Sequence, residues 1–123
     1  RIADWFGIQQ IVASEDCVDC YDPKTVQSTM GSIFRVNIFY TSLEKYLRES
    51  NVIVLGALLD GENVQHTMPV EEGILVIGNE SKGIRKNILH CISKSLTIPA
   101  FGQAESLNAA VATGIILSHL VKK

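Results

Sequence analysis

Two continuous apolar runs, "NVIVLGALL" at residues 51–59 and "GILVIGN" at residues 73–79, do most to limit what this chain can become. Neither alternates apolar with polar residues, so neither suits a strand with one wet face. Uninterrupted runs of this length belong to strands covered on both faces, the pattern of a parallel sheet. They are far shorter than the ~20 apolar residues of a bilayer span. No stretch joins a basic start, an apolar middle and a small-residue cleavage site. A cytoplasmic protein without membrane association is therefore the expectation.

Helical signals separate the strand-like segments. "RIADWFG" reads as the end of a helix stopped at Gly7, a residue favoured just past a helix end. "IQQIVA" follows as a strand. In "YDPKTVQSTMGSIF", Asp22 is a suitable N-cap and Pro23 suits the first turn, which predicts a helix to about Ile33. After the strand "VNIFY", the segment "TSLEKYLRES" places Leu43, Tyr46 and Leu47 at i, i+3 and i+4, a helix capped by Thr41 or Ser42. "KGIRKNILHCI" carries a short helix before the strand "SLTIPA", which ends at Pro99. Strands alternate with helices throughout, which predicts an α/β fold with helices on both sides of the sheet.

The 123 residues suit one domain, spanning 1–123. The chain opens at Arg1 inside a helical pattern, and a fragment lacking its N-terminal part is expected. The formal net charge of −2 is not the basic signature of a nucleic-acid binder. Cys17 and Cys20 stand at C-x-x-C spacing. Cys91, His66, His90 and His119 form no second spaced pair to complete a zinc site, so reduced structural thiols and no metal are expected. Trp5, near a helix end, is expected in the core rather than as a base-stacking platform.

The last helix, expected over residues 106–121, contains "NAAVATGIILSHLV", in which Thr113, Ser118 and His119 are too few to form a wet face. It must be covered on more than one side, by a second subunit or within its own domain.

Gly78 and Gly83 stand at P-loop spacing, but Ile84 and Arg85 follow where Lys and Ser/Thr are required. Glu80 inside the turn would repel a phosphate. The turn suits a neutral or cationic ligand, or one offering ribose hydroxyls and amines. In "IPAFGQAESLNAAVATG", Ser106, Leu107 and Asn108 open the last helix, where free N–H groups converge. On local grounds Ser106 is the expected N-cap. Two loops at the carboxyl ends of strands would share the ligand crevice of an α/β sheet.

"IGNESKGI" and "IPAFGQAESLNAAVATGIIL" resemble motifs 2 and 3 of the SpoU/TrmH family of RNA ribose 2′-O-methyltransferases, in the SPOUT superfamily. "RIADWFG" resembles the end of motif 1, N-x-G-x-x-x-R-[ST]-A, and "PKTVQSTMGSIFRV" the segment between motifs 1 and 2. The resemblance spans nearly the whole chain. It implies a Rossmann-like parallel sheet flanked by helices, with the C-terminal part threaded into a trefoil knot. It implies S-adenosylmethionine bound at Gly78, Ile98 and Leu107, a homodimer, and ribosomal or transfer RNA as substrate.

Arg1 falls on the arginine assigned to activation of the ribose 2′-hydroxyl, and Glu80, Ser106 and Asn108 on polar active-site positions. A guanidinium scarcely deprotonates, so Arg1 suits holding a phosphate and stabilising alkoxide charge better than acting as base. Lys24, Arg35, Lys82, Arg85 and Lys86 are candidates for RNA phosphates, against the alternative of a solvated helix face. Two departures stand out. The motif 1 asparagine and first strand lie outside this chain, and Ala100 and Phe101 replace the more usual methionine and its neighbour. A non-catalytic RNA-binding module of the same fold is the other class considered, but none of the motif residues present is broken. A plain nucleotide-binding Rossmann domain would need phosphate-binding glycines that this chain lacks.

Overall fold

The computed structural model describes residues 1–15, 35–79 and 82–121. The predicted helix after Asp22 and Pro23, the Cys17–Cys20 pair, Lys24 and Glu80 lie outside these residues. The chain forms two compact units, Arg1–Tyr46 and Leu47–Lys123.

In the first unit, α1 (Ile2–Trp5) is one turn long. Its end is closed by two reverse bonds, Gly7 N–H to the Asp4 carbonyl at 3.1 Å and Ile8 N–H to the Ala3 carbonyl at 2.8 Å. With Gly7 at φ +74°, this is the Schellman arrangement that the glycine predicts. The strands β1 (Gln10–Ala13) and β2 (Asn37–Tyr40) pair in parallel from Gln10 opposite Asn37 to Ala13 opposite Tyr40. The helix α2 (Leu43–Glu49) follows, its residues from Leu47 on belonging to the second unit, with Leu47 buried and Leu43 and Tyr46 half-buried, as the i, i+3, i+4 spacing predicts. Gln10 Nε2 donates to the Tyr46 hydroxyl at 3.1 Å, joining β1 to this helix.

The structure corrects the expectation for Trp5, whose side chain is 84% exposed. A single turn can point only one pair of its residues inward. Here Ile2 and Phe6 are half-buried, while Arg1 and Trp5 are exposed.

The second unit holds a three-stranded parallel sheet in the order β4-β3-β5. Its central strand β3 (Val54–Asn63) pairs with β4 (Ile74–Val76) on one side and β5 (Lys94–Thr97) on the other. The apolar run predicts β3 correctly, but the strand continues through the polar "DGEN". Leu96 of β5 lies opposite Ala57 and again opposite Glu62, so β3 bulges between the two pairings. The Thr97 hydroxyl ties down this bulge by donating to the Leu59 carbonyl at 2.9 Å. The helix α3 (Lys86–Leu89) precedes β5. After β3, a turn of 3-10 helix at Val64–His66 is capped by Asn63, whose Oδ1 accepts from Gln65 N–H at 2.9 Å.

The last helix, α4 (Ala109–Leu120), packs Ile116 and Leu120 against Leu55, Val64 and Leu96, which together form the buried core of this unit. Each such side chain contributes about 1.5–3 kcal/mol through the water it no longer meets. The end of α4 is pinned by Val70 N–H donating to the Leu120 carbonyl at 2.9 Å. Its hydroxyls do not make a wet face. Thr113 donates to the Ala109 carbonyl at 2.7 Å and Ser118 to the Ile115 carbonyl at 2.6 Å, so the helix backbone satisfies them. Among the described residues, no helix is long and apolar enough to cross a membrane.

Candidate functional site

Because β4 and β5 run parallel to β3 and flank it, their carboxyl ends leave the same edge of the sheet. Val76 and Ser95 both lie opposite Gly56. The glycine turn after β4 and the loop after β5 therefore emerge at nearly the same level, about 10 Å apart at two strand spacings. This edge is where ligands sit in open α/β sheets.

The glycine turn closes on itself. Asn79 N–H donates to the Gly83 carbonyl at 3.2 Å, and Gly83 N–H returns a bond to the Asn79 carbonyl at 2.8 Å. The Asn79 side chain braces the interior, its Oδ1 accepting from Lys82 N–H at 3.2 Å. Gly83 sits at φ +68°, where a side chain is strained. A Cβ at Gly78 would lie 2.6 Å from the Gly83 carbonyl carbon and 2.7 Å from the Ile84 nitrogen. Both glycines are thus required by the closure of the turn. Sequence reasoning missed Asn79; the signal was an asparagine opening a glycine-closed turn.

Across the edge, β5 ends at Thr97, two residues before the predicted end at Pro99. Ile98 is half-buried, and residues 100–108 are all exposed. Within this loop Leu107 is 49% and Phe101 93% exposed. The helix begins at Ala109, and its N-cap is Asn108 in place of the expected Ser106. Asn108 Oδ1 accepts from Ala110 N–H at 2.8 Å and Val111 N–H at 3.2 Å. Both residue types cap well, so local preference could not choose between them. Ser106 is left with its hydroxyl on an exposed loop two residues before the cap.

Gly78, Ile98, Ser106, Leu107 and Asn108 thus all belong to the two loops leaving this edge of the second unit. Lys82 lies in the glycine turn, and Arg85 is the N-cap residue of α3; both are exposed. Arg1 and Arg35 belong to the first unit. Arg1 is exposed, whereas Arg35 pairs with Asp4, its Nε and Nη2 each 2.8 Å from Asp4 Oδ2. Among the described residues, no three His, Cys, Asp or Glu side chains converge as metal ligands. The half-buried Cys91 thiol donates to the Asn87 carbonyl at 3.5 Å.

A family profile for the SpoU rRNA methylases matches residues 1–118. The chain is 36% identical over 124 aligned positions to the 23S rRNA (guanosine(2553)-2′-O)-methyltransferase RlmP of Bacillus subtilis strain 168, covering 98% of this chain and 50% of the relative. The chain thus spans about half the length of that curated relative. Among solved structures, it is similar to the AdoMet-bound rRNA methyltransferase from Sinorhizobium meliloti. That likeness has a TM-score of 0.89 and 31% identity over 97% of this chain and 48% of the other. It is also similar to the SpoU methyltransferase AviRb from Streptomyces viridochromogenes in complex with AdoMet, with a TM-score of 0.87, 27% identity, and coverage of 98% and 49%. A profile match over nearly the whole length, with two cofactor-bound structures of the same fold, places this chain in the SpoU rRNA methylase family.

Proposed function

We propose that the protein of which this chain is part transfers a methyl group from S-adenosylmethionine to a ribose 2′-hydroxyl of ribosomal or transfer RNA. The observation that carries this reading is the shared sheet edge. There the Gly78–Gly83 turn and the loop of residues 98–108 leave the carboxyl ends of the two strands that flank β3.

The residues present fit the cofactor. Ile98 and Leu107 offer apolar cover for an adenine ring, and the turn closed on Gly78 and Gly83 offers backbone groups at the end of β4. The turn is not a P-loop, which suits a ligand without phosphates. When bound, S-adenosylmethionine supplies an electrophilic methyl on a sulfonium.

The chain's own residues then hold and align the acceptor. Asn108 spends its Oδ1 on the helix cap, which fixes the side chain and leaves its Nδ2 amide to donate to a substrate oxygen. The Ser106 hydroxyl can donate or accept beside it. Arg1, in the first unit, takes from the family resemblance alone the role of holding an RNA phosphate, to which the ribose proton can pass, and of stabilising the charge that grows on the ribose oxygen. Glu80 has the role of fixing the turn around the substrate, an assignment that rests on the family resemblance. Lys82 and Arg85, exposed next to the turn, meet RNA phosphates and so position the strand without reading its sequence. Arg35, the further candidate for RNA contact, has its guanidinium paired with Asp4.

The reading includes the family's trefoil knot, a cytoplasmic location and a homodimer. Support for the dimer comes from the resemblance, together with the apolar last helix, on which Val111 is 51% exposed. The decisive test is methyl transfer by the complete protein from labelled S-adenosylmethionine to RNA, with nuclease digestion to locate the label. Label on a ribose 2′-oxygen is expected. Label on a base, or none on any RNA, contradicts the proposal.

A further inference from the structure

Tryptophan is highly buried on average, yet the indole of Trp5 is 84% exposed. Its backbone is not loose. Trp5 N–H donates to the Arg1 carbonyl at 3.0 Å, closing one helical turn between the two residues. The end of α1 is locked by the bonds at Gly7 and Ile8, and its Asp4 is tied to Arg35 at 2.8 Å. Residues four apart share a helix face with Cβ atoms about 5–6 Å apart. Arg1, the N-cap of α1, and Trp5 at its end thus lie one turn apart, both exposed.

Their surroundings argue for one kind of occupant. Ile2 and Phe6 turn inward, and Gly7, Gln9 and Gln10 are exposed nearby in sequence. A single-stranded nucleic acid needs what is present, a cation for the phosphate and a bare ring for the adjoining base.

Resting on the reading that Arg1 serves the reacting ribose, we propose that Trp5 is a stacking platform for an RNA base next to that ribose. Every base has a π-face, so the contact adds affinity and holds the strand in place without selecting sequence. Trp5 would thus align the nucleotide that Arg1 holds.

The test uses the complete protein with Trp5→Ala and Trp5→Phe. Steady-state methyl transfer is measured against RNA concentration, and indole emission is followed as a single-stranded RNA oligonucleotide is added. Subtracting the Trp5→Phe signal isolates Trp5. Trp5→Ala is expected to raise KM for RNA roughly fivefold to a hundredfold. Its kcat should fall by less than KM rises, and its affinity for S-adenosylmethionine should be unchanged. Trp5→Phe keeps a ring and should stay within about threefold of the parent in KM, and the isolated Trp5 emission should be quenched by RNA. An unchanged KM in Trp5→Ala with an active parent overturns the inference alone. So does an indole shielded from acrylamide before RNA is added and unshielded on dilution, which would assign the ring to a second copy of the chain. A parent that methylates no RNA overturns the underlying reading as well.

Discussion

The two halves of α4 are almost equally apolar in sequence, yet they do different things. Ile116, Leu117 and Leu120 near its end are buried, with exposures of 1%, 6% and 3%. Val111 in its first turn is 51% exposed, and the loop leading into the helix is exposed throughout. The far half is held by the core and by the bond from Val70. The near half is held by the Asn108 cap. An apolar helix can thus bury one end in the core and leave side chains at the other open, because the larger residues Ile116, Leu117 and Leu120 meet neighbours that the small residues of its first turns do not.

Mutations can break that contrast, beginning with the largest effect. Leu120→Ala removes a core side chain and should cost about 2–5 kcal/mol in denaturant unfolding. Gly83→Ala, in the turn across the sheet edge, forces a side chain into left-handed backbone and should cost about 1–2 kcal/mol. Affinity for S-adenosylmethionine should fall with it.

Asn108→Ala removes the cap and should cost about 1 kcal/mol of stability. Asn108→Asp sharpens the point, because aspartate caps equally well but lacks the Nδ2 donor. Its stability should match the parent while methyl transfer falls by roughly a hundredfold, the cost of one lost donor at a developing oxyanion. Equal activity in Asn108→Asp would reduce Asn108 to a structural cap. The smallest effect belongs to Val111→Ser, expected within about 0.5 kcal/mol of the parent by the same unfolding measurement. A loss as large as that of Leu120→Ala would show that the near half is covered after all.

Much of this was legible in the residues. Continuous apolar runs marked β3 and β4, and Gly7 marked the end of α1, because burial on both faces and a left-handed cap each leave a direct trace. The glycine turn was legible for the same reason, since Gly78 and Gly83 answer local demands for close approach and positive φ. What local pattern could not supply was set by distant partners. Leu96 pairs with both Ala57 and Glu62, so β3 runs on through polar residues that look like a loop. Ser106 and Asn108 are equivalent as caps until the path of the loop chooses one. Trp5 looked like a core residue because its size argues for burial, but Ile2 and Phe6 already occupy the inward side of a helix one turn long.

Whether the shared sheet edge takes S-adenosylmethionine is decided by calorimetric titration of the folded chain, with ATP and NAD as controls. Binding of S-adenosylmethionine is expected at close to one site per chain, with neither control competing, and with weaker binding in Gly83→Ala. No binding to a chain shown to be folded, even in the complete protein, or equal binding of ATP, would contradict the proposal.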